Sequence, residues 1–252
     1  MSIGRRQIKS KAVMFYVLQC HPETKIFLPP TEILEYHTLG KMTKAYKKIY
    51  VKPDQGSKSN GIIRIEKKEN GSFLLRTSES ETIEEFRNFH KLWSRLKDMT
   101  SNSRYIVQKG IENATIDQRN FDIRAHVLRV NGEWTIGGIC CRLGAPGNIV
   151  TTSLIGGKPI TLETLFAELL HYSEEDQQQV LENLHHCILN TARKISPLFP
   201  KNKEFGIDIG LDGNKQVWLY EVNTAPLIRA NFRLLADKTL YQRIMRLKQM
   251  AE

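Results

Sequence analysis

Apolar and polar positions alternate with two different periods along the chain, and the switches between them mark the elements. Residues 10 to 20, "SKAVMFYVLQC", carry a helical pattern that stops near His21-Pro22. "FLPPTEILEYH" reads as a loop entering a short helix with Thr31 at its N-cap. "KIYVKP", "IIRIEKK" and "FLLRT" read as three strands. The first two are joined by the polar loop "DQGSKSNG" and the next two by the turn "ENGS". "SETIEEFRNFHKLWSRLKDM" reads as one amphipathic helix starting near Ser80, with Ile83, Phe86, Phe89 or His90, Trp93 and Leu96 on one stripe. "RYIVQKGI" is a short strand, and "RNFDIRAHVLRVNGEWTIGGICCRLG" is a strand, an Asn-Gly turn and a second strand. "APGNIVTTSLIGGKPI" is expected to be a loop. "TLETLFAELL" and "SEEDQQQVLENLHHCILNTARKI" are helices, the second capped by Ser173. The segment "GIDIGLDGNKQVWLYEVNTAP" is a hairpin, and a last helix lies in "RANFRLLADKTLYQRIMRLKQM". The order predicts an α+β protein of two lobes, divided as residues 1–107 and 108–252, without internal repeats.

Composition narrows this picture only a little. A chain of 252 residues is long enough for one large domain or two lobes. No apolar run approaches the ~20 residues needed to cross a bilayer. No signal-peptide core follows the basic start "MSIGRRQIKSK", so a cytoplasmic location is expected. Cys20, Cys140, Cys141 and Cys187 have neither C-x-x-C spacing nor the look of a disulfide framework, and read as reduced thiols. The net charge of +10 asks for an anionic partner. Nucleic acid is not the expected one, because no helix-turn-helix or Arg/aromatic RNA-binding signature is present.

Two stretches carry candidate chemistry. In the last hairpin, Asp208 stands alone in an apolar strand, while Glu221 and Asn223, two residues apart, share a face of the next. Pairing across the turn brings Asp208 near them. Two carboxylates and an amide oxygen gathered in this way suit Mg²⁺, a hard cation that keeps water and phosphate in its shell; a solvated sheet face is the plainer reading. The second stretch is "YVKPDQGSKSNGI". Lys52 ends a strand, and Gly56, Ser57, Ser59 and Gly61 keep the following loop small enough for its backbone N–H groups to approach an anion. It is not a P-loop, since a strand follows where a helix is required. It reads as a hairpin flap over phosphates or as an ordinary hairpin tip. A nucleotide between two lobes, with its adenine at the "YIVQKGI" hinge, accounts for all of these stretches together.

At this point the chain resembles the ATP-grasp superfamily, and within it the spore-coat-associated YheC/YheD-type proteins of endospore-forming bacteria. The resemblance spans roughly residues 9 to 235. It rests on "SKAVMFYVLQCHP", "FLPPT", "YVKPDQGSKSNGIIRIEK", "YIVQKGI", "FDIRAHVLRVNGEW", "CRLG", "IGG", "FGIDIGLD" and "LYEVNTAP" in that order. It implies an ATP-grasp fold with the nucleotide site between two α+β lobes. It implies Lys11, Lys52, Gly56, Ser57 and Gly61 around the ATP phosphates, and Gln108, Lys109 and Ile111 around adenine. Asp122 and Arg124 match a D-x-R pattern with Arg124 toward the reacting phosphate, and Arg142 matches an arginine that stabilises an acyl phosphate or oxyanion. Asp208, Glu221 and Asn223 are implied as the Mg²⁺ ligands. The chain departs from the pattern at Thr152, where Asn is usual, and at Ile155, where a polar residue is common. A substrate domain that often precedes the ATP-grasp lobes is not expected, because the resemblance begins near residue 9.

The implied activity is an ATP- and Mg²⁺-dependent carboxylate–amine ligase acting through an acyl phosphate, with an amino acid or peptide among the candidate substrates. A non-catalytic nucleotide-binding scaffold associated with the spore coat, and a basic nucleic-acid binder, are the alternatives. Taken one by one, Arg124 and Arg142 also read as partners of surface acids, and His126, His185 and His186 as structural side chains. Loss of Asp208 or of Glu221 is expected to stop turnover and leave the fold intact.

Overall fold

Two antiparallel sheets, the smaller covered by helices on one face and the larger on one face and part of the other, make up the computed structural model, which describes residues 10–56, 59–113, 119–151 and 156–251. The chain opens with helices α1 (Lys11–Gln19) and α2 (Pro22–Lys25), then strand β1 (Thr31–Ile33), helix α3 (Tyr36–Ala45) and strand β2 (Lys48–Pro53). Strands β3 (Ile63–Lys67), β4 (Phe73–Thr77) and β5 (Ser80–Phe86), helix α4 (Phe89–Thr100) and strand β6 (Tyr105–Lys109) complete the smaller sheet, in the order β1-β6-β2-β3-β4-β5. Its outer face buries Ile49, Val51, Ile63, Ile65 and Val107 against Leu39 and Met42 of α3 and Leu92 and Leu96 of α4.

The larger sheet uses β7 (Phe121–Val130), β8 (Glu133–Leu143), β9 (Lys158–Ile160), β10 (Glu204–Leu211) and β11 (Val217–Asn223), ordered β11-β10-β7-β8-β9. One face packs on helix α5 (Glu174–Ile195), through Val180, Leu184 and Ile188. Part of the other is covered by residues 228–235 and helix α6 (Thr239–Met250), through Ile228, Phe232 and Ile244. Met14 and Leu18 of α1 and Phe27 also sit in the α5-side core.

Four local expectations are corrected. Thr31 begins a strand and caps no helix; the cap of α3 is Glu35, in a reciprocal capping box with Thr38. The single helix expected from Ser80 is a strand over Ser80–Phe86 followed by a helix capped by Asn88, and Ile83 is exposed rather than part of the buried stripe. β5 is a charge-rich edge strand, one of the ways proteins keep sheet edges from pairing further. Finally, "TLETLFAELL" winds as a π-helical segment over Thr164–Leu169, and Lys158–Ile160 of the expected loop is the edge strand β9.

The junction between the two sheets is braced at the end of β2. The Asp54 carboxylate is 3% exposed and accepts hydrogen bonds from Ser10 Oγ and Ala12 N, both at 2.9 Å. Lys11 N donates to Asp54 O at 3.0 Å. The first turn of α1 is thereby tied to the strand that enters the flap.

Candidate active site

A cavity of about 850 Å³ lies between the inner faces of the two sheets. β10 and β11 build its floor. Their register pairs Asp208 directly with Glu221, and then skips a residue so that Ile209 faces Leu219. This β-bulge leaves Tyr220 as the extra residue. Alternation would turn Tyr220 and Glu221 to opposite faces, but the bulge lets both line the cavity, while Leu219 stays in the core and Val222 packs in the core where it borders the cavity. Asn223 returns to the cavity side.

The two glycines flanking Asp208 are fixed by what lies over them. A Cβ on Gly206 would stand 2.4 Å from Arg124 Nη1 and 2.7 Å from Pro226 Cβ. One on Gly210 would stand 2.0 Å from the Tyr220 hydroxyl oxygen. Gly206→Ala is therefore expected to cost about 1–3 kcal/mol, the usual range for overpacking, and to push Arg124 off the strand. A urea melt checks the first effect and the distance to Asp208 in a crystal structure the second.

Charge in the cavity is paired in a tight network. Arg142 Nε and Nη2 each donate at 2.6 Å to the two carboxylate oxygens of Asp122, a forked pair. The same Nη2 is 3.1 Å from Asp208 Oδ2. Arg124 Nη2 donates to Asp208 Oδ2 at 3.2 Å, and Asn223 Nδ2 donates to that oxygen at 3.3 Å. Thr151 Oγ1 donates to Asp122 Oδ2 at 2.6 Å. Burial alone would raise the Asp208 carboxyl, but Arg124 and Arg142 hold it below its ordinary range.

On the smaller sheet, Lys52 Nζ donates to Gln108 Oε1 at 2.6 Å, and Gln108 Nε2 donates to Thr31 Oγ1 at 3.0 Å. The Lys52 ammonium lies 5.7 and 5.5 Å from the ring centres of Tyr50 and Tyr220. Burial lowers the Lys52 pKa to about 8, against the opposing pull of Glu221. Lys11, itself buried, reaches 3.2 Å from Glu221 Oε1 and donates at 3.2 Å to Gly56 O.

Of the residues expected at the site, Lys52, Gly56, Gln108, Lys109, Ile111, Asp122, Arg124, Arg142, Asp208, Glu221 and Asn223 all line this cavity. Lys11 touches it through Glu221. Gly61 does not line it. Its N–H donates to Glu79 Oε1 at 2.8 Å and its φ of +69° marks a turn position. Ser57, Thr152 and Ile155 lie outside the described residues. Arg124 and Arg142 pair with acids, but with the buried Asp208 and the largely buried Asp122 of the cavity rather than with surface ones. The sequence reading missed Tyr50, Tyr220 and Thr151; only a bulge invisible in the one-dimensional pattern brings Tyr220 in.

The acids fit a hard cation in chemistry and in what they leave unpaired. Asp208 Oδ1 is buried without a hydrogen-bond partner, because Arg124 Nε, 2.8 Å away, points past it. Among the described residues no group of three or more His, Cys, Asp or Glu is placed to hold a metal. Two carboxylates and an amide are instead the sparse set that Mg²⁺ accepts when water and phosphate complete its shell.

The fold of the chain is shared with solved structures. D-cycloserine synthetase DcsG aligns with a TM-score of 0.58 at 12% identity, over 97% of this chain and 70% of that one. The C-terminal domain of K. lactis Pby1, an ATP-grasp enzyme interacting with the mRNA decapping enzyme Dcp2, aligns with a TM-score of 0.55 at 16% identity, over 97% and 72%. The ADP complex of PurK, N5-carboxyaminoimidazole ribonucleotide synthetase, aligns with a TM-score of 0.51 at 10% identity, over 88% and 46%. The fold is the ATP-grasp fold. A model of the YheC/D-like ATP-grasp family matches residues 3–249, and the chain belongs to that family. Among curated relatives, the endospore coat-associated protein YheD of Bacillus subtilis (strain 168) is 23% identical over 215 residues, 83% of this chain and 46% of YheD. Its counterpart YheC from the same strain is 22% identical over 229 residues, 88% of this chain and 61% of YheC. The chain thus spans about half to three-fifths of the length of these relatives. Among the described residues no helix is long and apolar enough to cross a membrane.

Proposed function

We propose that the chain is an ATP- and Mg²⁺-dependent ligase joining a carboxylate to an amine. The observation that carries this reading is the convergence of Lys52, Arg124, Arg142, Asp208, Glu221 and Asn223 on one cavity. Gln108, Lys109 and Ile111, at the end of β6, offer the adenine its wall, and backbone groups there need no special side chain. Lys52 supplies charge to the phosphates. Asp208, Glu221 and Asn223 hold the metal, which supplies neutralisation of phosphate charge when bound. The fork from Arg142 to Asp122 fixes that guanidinium in orientation. Together with Arg124 it faces the group to which charge moves when a carboxylate takes the terminal phosphate of ATP, releasing ADP, and an amine then displaces that phosphate to give the amide. The site has no need of a side-chain nucleophile: Cys140 is buried and its thiol is pushed up to about 12 by that burial.

A second reading is a nucleotide-binding scaffold without turnover, which the coat-associated names of YheD and YheC favour; spore association is proposed under either reading. The test is ADP release by the purified chain across amino acids and peptides. Release that depends on an added acceptor supports the ligase, whereas nucleotide binding without release supports the scaffold. At about a hundred times its Kd, ATP with Mg²⁺ stabilises the folded chain by about 2.7 kcal/mol, which a thermal melt resolves. Glu221→Gln is expected to remove most of the Mg²⁺-dependent part of that gain while leaving the metal-free melting temperature within about 2 °C, since among the described residues Glu221 has one ion pair, to Lys11, and it is 29% exposed in its side chain.

A further inference from the structure

The inner face of the smaller sheet holds a charge arrangement that the cavity does not use. Tyr50, which lines the cavity, pairs across the sheet with Arg64 of β3, and Arg64 pairs in turn with Arg76 of β4. Directly opposed residues point to the same face, so the two arginines stand side by side next to Tyr50. Like charges in directly opposite positions destabilise a sheet. Here little offsets them. Arg64 hydrogen-bonds the Tyr50 hydroxyl, and its buried Nε is ion-paired at 3.3 Å with Glu66 Oε1 without making a hydrogen bond; its side chain is only 11% exposed. The Nε of Arg76 is also buried and unpartnered, and Arg76 has no ion pair with any described residue.

Two further features set Arg76 in place. The pairing of β4 with β5 shifts register between Arg76 and Thr77, and such bulges recur beside functional sites, where they re-aim a side chain. One turn further on, Ser78 Oγ donates to Ser59 O at 2.7 Å, anchoring the same strand to the flap. Arg76 therefore stands on an interior strand of the sheet, whose end is tied to the loop between β2 and β3.

From this juxtaposition we infer that Arg64 and Arg76 form a second anion subsite on the inner face of the smaller sheet, taking a carboxylate or phosphate group beside the cavity. Two adjacent guanidinium forks suit the planar, bidentate geometry of such oxyanions. The group comes either from the molecule that occupies the cavity, a source that rests on the ligase reading, or from a free oxyanion, which does not.

The probe is inorganic phosphate, titrated calorimetrically into the full chain at low ionic strength. Arg76→Gln is expected to weaken phosphate binding roughly tenfold, the loss of a charge-assisted contact, and Arg76→Lys by less, because it keeps the charge and loses the fork. Arg76 has no ion pair with a described residue, so neither variant is expected to unfold the sheet, and melting curves check this. Lys52→Met is expected to leave this phosphate site in place. Phosphate binding that falls in Lys52→Met but not in Arg76→Gln, or that neither variant changes, overturns the subsite. Repeating the titration with a non-hydrolysable ATP analogue separates the sources. Phosphate still bound marks an independent oxyanion site, and phosphate displaced marks one that the cavity ligand reaches. If the analogue does not bind at all, the nucleotide reading fails while the Arg76 comparison still decides the subsite.

Discussion

Replacing Asp208 by Ala is expected to destabilise the folded chain by about 3–5 kcal/mol, the cost of leaving buried charge uncompensated. Asp208 is 8% exposed and touches Arg124 at 2.8 Å, Arg142 at 3.1 Å and the Asn223 amide at 3.3 Å. Its removal leaves two guanidinium groups with one remaining carboxylate, Asp122, which already pairs with Arg142. For a chain of this size the loss corresponds to a fall in melting temperature of roughly 10 °C. A fall of less than about 2 °C would mean that the arginines find other partners and that the network is not held together at Asp208. The pH dependence has a definite sign. The Asp208 pKa is lower in the folded chain than its ordinary value of 3.8. Its stabilisation is present above the ordinary value and is lost as the pH falls through the folded one. The structure thus separates two acids that the sequence treats alike: Glu221 is the cleaner probe of the proposed metal binding, and Asp208 is also part of what holds β7, β8 and β10 together.

Removing the Lys52 ammonium is the second large effect. Lys52→Met is expected to weaken ATP binding by about 100-fold, because a buried charge–phosphate contact contributes more than an exposed one. Its pKa near 8 adds a signature that simple loss of packing would not show. In the free chain the charged form is disfavoured, so Lys52 loses its proton as the pH rises through about 8. Bound phosphate favours the charged form and raises that pKa. ATP affinity is then fully present below pH 8 and declines as the pH rises above it, by at most tenfold per unit. Calorimetry in two buffers of different ionisation enthalpy detects the proton taken up on binding. An affinity flat between pH 7 and 9.5, or a decline that persists in Lys52→Met, would assign the effect to another group. For stability the sign is opposite: a lysine whose folded pKa is depressed penalises the fold below pH 8, and that penalty fades between about 8 and the ordinary value of 10.5.

Much of this site was legible because hairpins announce themselves. Asn131-Gly132 between two apolar runs sets the β7–β8 pair, and the turn after Leu211 sets β10–β11, so the approach of Asp208 to Glu221 followed from turn position alone. The same logic failed for β5. "SETIEEF" has no apolar alternation to offer, since an edge strand buries almost nothing, and its acids look like the polar side of a helix. Thr31 was misread because Ser, Thr, Asp and Asn caps are commoner than a Glu35–Thr38 box. The ion-pair partners of Arg124 and Arg142 lay beyond reach for another reason. Asp122 sits opposite Arg142, and Arg124 opposite Asp208, only once the register of three strands is known.

The brace at Asp54 has a mechanical consequence. Through Ser10, Lys11 and Ala12 it fastens the end of β2 to a helix whose Met14 and Leu18 are set in the opposite core. A tilt of the small lobe would therefore work against this tie. Any rotation must take the first turn of α1 with it, so Ser10 and Asp54 act as a fulcrum, and the lever arm runs outward along β2 and β3 toward the flap.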